Sequence, residues 1–176
     1  MNPWHEISPG EDVPNEIVAF IEVPSGSRNK YELDKTTGLI RLDRVLYSPV
    51  HYPGDYGFIP QTYWEDGDPV DVLVLSHHPV ISGCLVDARP IGVLKMIDSG
   101  EEDDNIICVP VGDPKFAEVM SIKDISPHQV KEIVHFFEVY KHLQGKKVKV
   151  TKVLDRKEAL AVVKKGIKLY NEKIRK

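Results

Sequence analysis

Glu65-Asp66-Gly67-Asp68-Pro69-Val70-Asp71 sets four carboxylates within seven residues and runs directly into the apolar segment Val72-Leu73-Val74-Leu75. No basic residue lies within the stretch. Two carboxylates ~4 Å apart repel by roughly 4 kcal/mol at an effective dielectric of about 20, so a folded site that gathers three of them needs a cation. Ligands that are all oxygen select a hard ion: Mg²⁺, Mn²⁺ or Ca²⁺. A straight strand would put Asp66 and Asp68 on one face and Asp71 on the other, because side chains alternate with period two. Convergence therefore requires a bend, and Gly67 and Pro69 suit one. A plainer reading stands beside this: Asp-Gly and Asp-Pro are ordinary turn dipeptides, and an acidic turn before a strand is commonly a solvated loop.

Upstream, Ile17–Val23 is a β-branched run long enough for one strand, closed by Pro24-Ser25-Gly26-Ser27. Glu22 within it reads either as a rim position or as a functional acid, since Glu is rarely buried without a partner. Lys30-Tyr31-Glu32-Leu33-Asp34 alternates strictly, with Tyr31 and Leu33 toward the core. Lys35-Thr36-Thr37-Gly38 supplies a hairpin turn, and 39–46 returns as the partner strand. Next, His51-Tyr52-Pro53-Gly54-Asp55-Tyr56-Gly57-Phe58-Ile59-Pro60 threads aromatics among Gly and Pro, which predicts a packed loop rather than helix or inner strand.

Downstream, strands are predicted over 70–75, 84–89, 91–96 and 106–111, parted by Pro/Gly punctuation. His77-His78 falls in a connection; adjacent residues on an extended chain point apart, which favours a structural role over metal binding. Asp98-Ser99-Gly100-Glu101-Glu102-Asp103-Asp104-Asn105 is a second acidic loop, and two such loops in one small domain suggest a shared cation cluster. The last third changes period. Ser126-Pro127-His128-Gln129 has the form of a capping box, with Val130, Ile133, Val134 and Phe137 at helical spacing after it. Residues 147–151 alternate as a final strand. Asp155-Arg156-Lys157-Glu158 repeats the cap pattern ahead of a helix whose face carries Val163, Ile167, Tyr170 and Ile174. Many short strands followed by helices suggest an α+β fold, an antiparallel β-barrel with packed helices.

The 176 residues suit one domain, taken as 1–176. A net charge of −4 argues against a nucleic-acid binder that relies on a general basic face. Cys84 and Cys108 lie far apart in apolar runs, so they read as buried thiols rather than a zinc or disulfide frame. That usage fits a reducing compartment. With no basic start, no apolar signal core and no membrane-length run, the expectation is a cytoplasmic protein without a membrane partner.

The residues together resemble the family I soluble inorganic pyrophosphatases of the short prokaryotic type. The diagnostic Asp-x-Asp-Pro-x-Asp stands here as Asp66-Gly67-Asp68-Pro69-Val70-Asp71. In order around it come Glu22-Val23-Pro24, Lys30-Tyr31-Glu32, Asp43-Arg44, Tyr52-Pro53, Tyr56-Gly57, Gly92–Met96 with Asp98, and His135-Phe136-Phe137-Glu138 with Tyr140-Lys141. The resemblance covers roughly residues 17–150, and so many motifs in one order are specific. It implies a closed or nearly closed oligonucleotide-binding-like (OB-like) barrel flanked by C-terminal helices, usually in a homohexamer. It also implies Mg²⁺-dependent hydrolysis of pyrophosphate to two orthophosphates, with no covalent intermediate and with several Mg²⁺ per site, for which Mn²⁺ or other divalent ions can substitute. Asp66, Asp71 and Asp103 would hold one ion, and Asp71 would reach a second. A nucleophilic water would lie between the two ions, with Asp68 as its base or orienter. Asp98 with Asp103, and Glu32 across the site, would take further ions. Glu22 would orient metal-bound water. Lys30 and Tyr56 would bind the attacked phosphate, and Arg44, Tyr140 and Lys141 the leaving one. The chain departs from the family at Asn105, behind the extra acid Asp104, where many members have lysine.

Rival readings are weaker. The barrel class often holds single-stranded nucleic acid on aromatic and basic surfaces, but the aromatics here sit beside carboxylates that repel a phosphate backbone. The acidic turn lacks the EF-hand ligand order. No Gly-x-x-x-x-Gly-Lys-Ser/Thr loop marks a nucleotide hydrolase, and Ser76 precedes His77-His78 where the other soluble pyrophosphatase family has Asp-His-His.

Overall fold

The β-branched run Ile17–Val23 is the first strand, β1, and it closes the main sheet on itself. The computed structural model describes residues 1–175. A short helical turn, α1 (Pro3–Glu6), precedes β1. The strands that follow are β2 (Asn29–Leu33), β3 (Ile40–Val45), β4 (Asp55–Phe58), β5 (Asp71–Val74), β6 (Leu85–Asp98), β7 (Glu101–Glu102), β8 (Asn105–Pro110) and β9 (Val148–Asp155). Helix α2 (Pro127–Val139) lies between β8 and β9, and α3 (Arg156–Lys173) follows β9. Pairing runs β1-β4-β5-β8-β6, and β6 pairs back to β1, so five strands form a ring. Four of its pairs are antiparallel and β5–β8 is parallel. β7 and β9 extend the sheet from β6, and β2–β3 forms a separate hairpin.

Apolar runs such as 72–75 and 106–109 follow from burial on both faces. With period two, Leu73, Leu75, Ile107 and Val109 pack with Phe136 and Phe137 of α2. Val72, Val74, Ile106 and Cys108 turn the other way and pack with Ala159, Val162 and Val163 of α3. Of the predicted stripes, Ile133 and Phe137 pack in the first cluster with Val130 and Val134 against it, Val163 and Ile167 pack in the second, and Tyr170 packs with Trp4 and Phe20, whereas Ile174 is exposed just past the end of α3.

Five expectations need correcting. The stretch 51–60 contains an inner strand, β4, between β1 and β5. Gly57 makes this possible, because a Cβ there would lie 1.9 Å from the Phe20 carbonyl oxygen. Segments 84–89 and 91–96 are one strand, β6. Pro90, which has no N–H to give the ladder, sits where the β6–β8 register shifts between Pro90 and Gly92, a bulge that tolerates it. The second acidic loop is partly a hairpin, with Ile97 opposite Glu102 and Asp98 opposite Glu101. Ser126 begins α2 without a side-chain cap, so Pro127 at the first helical position does more to set that start. Cys108 is buried as expected, but Cys84 is partly exposed.

Candidate active site

The acidic turn bends as its residues demand. Gly67 takes φ +92°, a left-handed conformation that glycine adopts without strain. The Asp68 N–H donates to Asp66 Oδ1 (3.0 Å), the Trp64 N–H to the Asp68 carbonyl (2.7 Å), and the Gly67 N–H to the Trp64 carbonyl (3.1 Å). This knot brings Asp66, Asp68 and Asp71 to the wall of one cavity of ≈140 Å³, which Glu22, Lys30, Glu32 and Tyr56 also line.

Each side chain is delivered by a different element. Asp71 opens β5 and accepts the Tyr56 hydroxyl from β4 on its Oδ2. Glu22, on β1, is 8% exposed and accepts the Leu33 N–H of β2 at 2.6 Å. It therefore ties the hairpin to the ring, which rules out the rim reading. Lys30 pairs with Glu32 on one face of β2. Lys30 and Arg44 are also register partners across the hairpin. Two cations facing each other across strands are unfavourable unless an anion lies between them. Arg44 points the same way: one of its guanidinium nitrogens pairs with Asp43, while its buried Nε has no partner among the described residues.

Burial and mutual repulsion leave the acids short of positive charge. Desolvation and the Asp103 charge push Asp71 well above the usual carboxyl range, against the Tyr56 hydrogen bond. Burial, then Asp66, raises Asp103 to about 6 even with Lys141 nearby. Asp66 is raised by burial, with Asp68 adding repulsion, and burial lifts Glu22 to about 7. Asp98 differs: burial raises it, but the hydrogen bond and charge of Lys141 outweigh this and hold it below the usual value. Tyr140 is buried beside Asp103, Asp98 and Asp71, and burial chiefly raises its hydroxyl.

Among the described residues, no three His, Cys, Asp or Glu side chains close on a single point as bound ligands would. Several acids instead hold cations or hydroxyls of the chain: Lys35 on Asp68, Lys141 on Asp98, Lys30 on Glu32, Tyr56 on Asp71. The donor set still fits a hard divalent ion, because Asp66, Asp71 and Asp103 are oxygen ligands whose proton affinity is raised first by burial and then by neighbouring carboxylates, and a bound cation would offset both.

Of the predicted site residues, Glu22, Lys30, Glu32, Tyr56, Asp66, Asp68 and Asp71 share the cavity. Asp103 and Asp98 join through their charge coupling, and Tyr140 and Lys141 stand against those two. Arg44 enters beside Lys30. Sequence reasoning missed Lys35 and Trp4, which also line the cavity. Lys35 lies 4.8 Å from the Trp4 ring centroid, and the Trp4 indole donates to the Thr62 carbonyl at 2.8 Å. The only hint was the lone Trp near the N-terminus, whose partners are some sixty residues away.

The family profile for inorganic pyrophosphatase matches residues 19–171. The chain is 52% identical over 159 residues to the inorganic pyrophosphatase of Geobacillus stearothermophilus, covering 90% of this chain and 96% of that protein. It is 49% identical over 171 residues to soluble inorganic pyrophosphatase 2 of Chlamydomonas reinhardtii, covering 97% and 89%. Its fold matches the crystal structure of inorganic pyrophosphatase from Thermus thermophilus with a TM-score of 0.94 and 45% identity, over 97% of this chain and 99% of that one.

Proposed function

Since the chain belongs to the inorganic pyrophosphatase family, we propose that it hydrolyses pyrophosphate to two orthophosphates by direct attack of water, with Mg²⁺ as cofactor and no covalent intermediate. The observation that carries this reading is the cavity that gathers Asp66, Asp68 and Asp71 with Lys30 and Tyr56. Asp66, Asp71 and Asp103 would hold Mg²⁺, with Asp98 and Glu32 reaching further ions; Mn²⁺ or other divalent ions would substitute. Bound there, the ions would acidify water and offset the charge of the substrate.

The chain's own groups do the rest. Asp68, at the exposed tip of the turn, takes the proton of the attacking water, which requires it to leave Lys35. Lys30 and Tyr56 hold the attacked phosphate. Arg44, Tyr140 and Lys141 face the leaving phosphate, where charge grows as the bridging bond breaks, so they act mainly in the transition state. Glu22, buried and hydrogen-bonded to Leu33, fixes the wall against which water is oriented. No nucleic acid or membrane takes part, and among the described residues no helix is long and apolar enough to cross a membrane. We place the protein in the cytoplasm, as a homohexamer.

The test is phosphate release from pyrophosphate with Mg²⁺, with chelator and with ATP as comparison substrate, on the wild type and Asp68→Asn. Fast Mg²⁺-dependent release from pyrophosphate alone is expected. Asp68→Asn should cut turnover by about 10²–10⁴-fold, the usual worth of a general base, while folding and Mg²⁺ uptake persist. Absence of release with any divalent ion would leave a protein that only binds.

A further inference from the structure

Asn105 opens β8 and is completely buried, yet among the described residues neither Oδ1 nor Nδ2 of its amide has a hydrogen-bond partner. Buried polar groups are almost always paired, so an orphan of this kind points to a missing partner. Register says where it faces. Asn105 is the partner of Asp71 in the parallel β5–β8 pair and of Leu94 in the antiparallel β6–β8 pair. Paired residues project to the same side of a sheet. Leu94, Ile107 and Leu73 lie on that side with Tyr56, so the amide stands beside the Asp71 carboxylate on the face toward α2.

We propose that Asn105 is a positioning residue for Asp71, and that it acts through a buried water bound to its amide. This rests on the reading of Asp71 as a Mg²⁺ ligand. Ionised, as a metal ligand must be, the Asp71 carboxylate only accepts hydrogen bonds, so it can satisfy Nδ2 but not Oδ1. A water can donate to Oδ1 and to Asp71 together, and it is small and neutral enough for a fully buried spot next to acids. The side-chain partner of Asp71 is the Tyr56 hydroxyl on Oδ2, which leaves Oδ1 for such a bridge. Next door, Asp104 turns to the opposite side, where Lys95 of β6 holds it. Residues 104 and 105 therefore face opposite sides of the sheet at the start of β8.

The test measures Mg²⁺ binding by calorimetry, without pyrophosphate, on the wild type, Asn105→Ser, Asn105→Ala and Asn105→Leu, with thermal midpoints of the metal-free proteins alongside. A wild type that binds no Mg²⁺ would defeat the metal reading of Asp71 at the outset and this proposal with it; a wild type that binds lets the variants decide. Serine keeps a donor and acceptor and leaves room for water, so it should bind within about 3-fold of wild type, while alanine should weaken binding by about 10-fold or more, the usual scale for groups behind a metal ligand. Asn105→Leu should also weaken binding, with a metal-free midpoint no lower than wild type. Equal Mg²⁺ affinity across the serine and alanine variants overturns the proposal whether or not the leucine variant folds. A high-resolution structure with an ion directly on Asn105 Oδ1 overturns it as well.

Discussion

A carboxyl group that folding forces out of water gives a pH dependence opposite to that of an exposed ion pair, and this chain holds both kinds. Glu22 is lifted by burial from 4.5 to about 7, and Asp103 from 3.8 to about 6. In the metal-free protein the folded state therefore binds protons more tightly than the unfolded chain over those ranges. Its stability is greatest at the acid end and falls as pH rises, through 7 for Glu22 and through 6 for Asp103. Asp155 runs the other way. Hydrogen bonds from Ser121 and the Arg156 N–H, then Lys123, lower it from 3.8 to about 2, so its contribution is present above 3.8 and is lost as pH falls through 2. Urea unfolding in chelator should accordingly show higher stability at pH 5 than at pH 8. Glu22→Gln keeps the acceptor for the Leu33 N–H but cannot ionise. It should remove about 2–3 kcal/mol of that difference, since each tenfold change in proton affinity is worth about 1.4 kcal/mol. Parallel pH curves for wild type and variant would show that Glu22 does not carry the effect. Mg²⁺ should stabilise more at pH 8 than at pH 5, because protons and metal compete for Asp103 and Asp71.

The acidic turn owes its placement to the last helix. The Tyr63 N–H donates to the Gly166 carbonyl (3.0 Å) in the middle of α3, and a Cβ on Gly166 would lie 2.6 Å from Val70 Cγ2 and 3.3 Å from Thr62 Cβ. Lys165 beside it pairs with Glu65. Gly166→Ala sets two effects against each other. Alanine favours the helix by about 1 kcal/mol, whereas overpacking a closed contact costs typically 1–3 kcal/mol. The contact is with Val70, which is fully buried, so the second should win. The expected result is a net loss of about 1 kcal/mol and a higher Mg²⁺ concentration for half-maximal activity, because residues 66–71 move as one turn; a variant with wild-type stability and Mg²⁺ response would show that the turn is not seated on α3. Asp155→Ala, which removes the N-cap acceptor of α3, should cost about 1 kcal/mol without changing the Mg²⁺ response. The same elements show what the residues revealed in advance. β1, the β2–β3 hairpin, β5, β8 and both long helices were legible because each is a periodic run with its own stop signals. β4 and the continuity of β6 were not, because Gly57 and Pro90 act as breakers by local rules and are admitted only by a neighbour: the Phe20 carbonyl in one case, the bulge facing β8 in the other. The gathering of acids at one cavity was legible because carboxylates at that density repel one another unless a cation lies among them. Lys35, Trp4 and the bare amide of Asn105 were hidden, since each becomes informative only through a partner far along the chain.

On the scale of the whole chain, the ring closes between β1 and β6, but the β2–β3 hairpin stands outside it, and among the described residues β3 pairs only with β2. Leu39, Leu42, Val45 and Tyr47, on and beside β3, are all at least 50% exposed. A two-stranded hairpin with an unpaired edge and a row of apolar side chains is a poor surface for a protein that works alone. The same hairpin carries Lys30, Glu32, Lys35 and Arg44 of the proposed site, so whatever covers its outer side also stiffens one wall of the cavity. We propose that a further copy of the chain covers it within the homohexamer. A net charge of −4 on each chain is small enough not to oppose that association. Sedimentation should give about six times the 19.9 kDa of the single chain. Leu42→Glu with Tyr47→Glu, which buries charge at the contact, should lower that mass and raise KM or the Mg²⁺ requirement more than it lowers kcat at saturation. A wild type that sediments as one chain at micromolar concentration would sink the hexamer. A double variant that keeps the full mass would leave the hexamer but move its contact away from β3, and the stiffness of the Lys30 wall would then have to come from ties within the chain, the Glu22–Leu33 hydrogen bond and the packing of Tyr31 and Leu33.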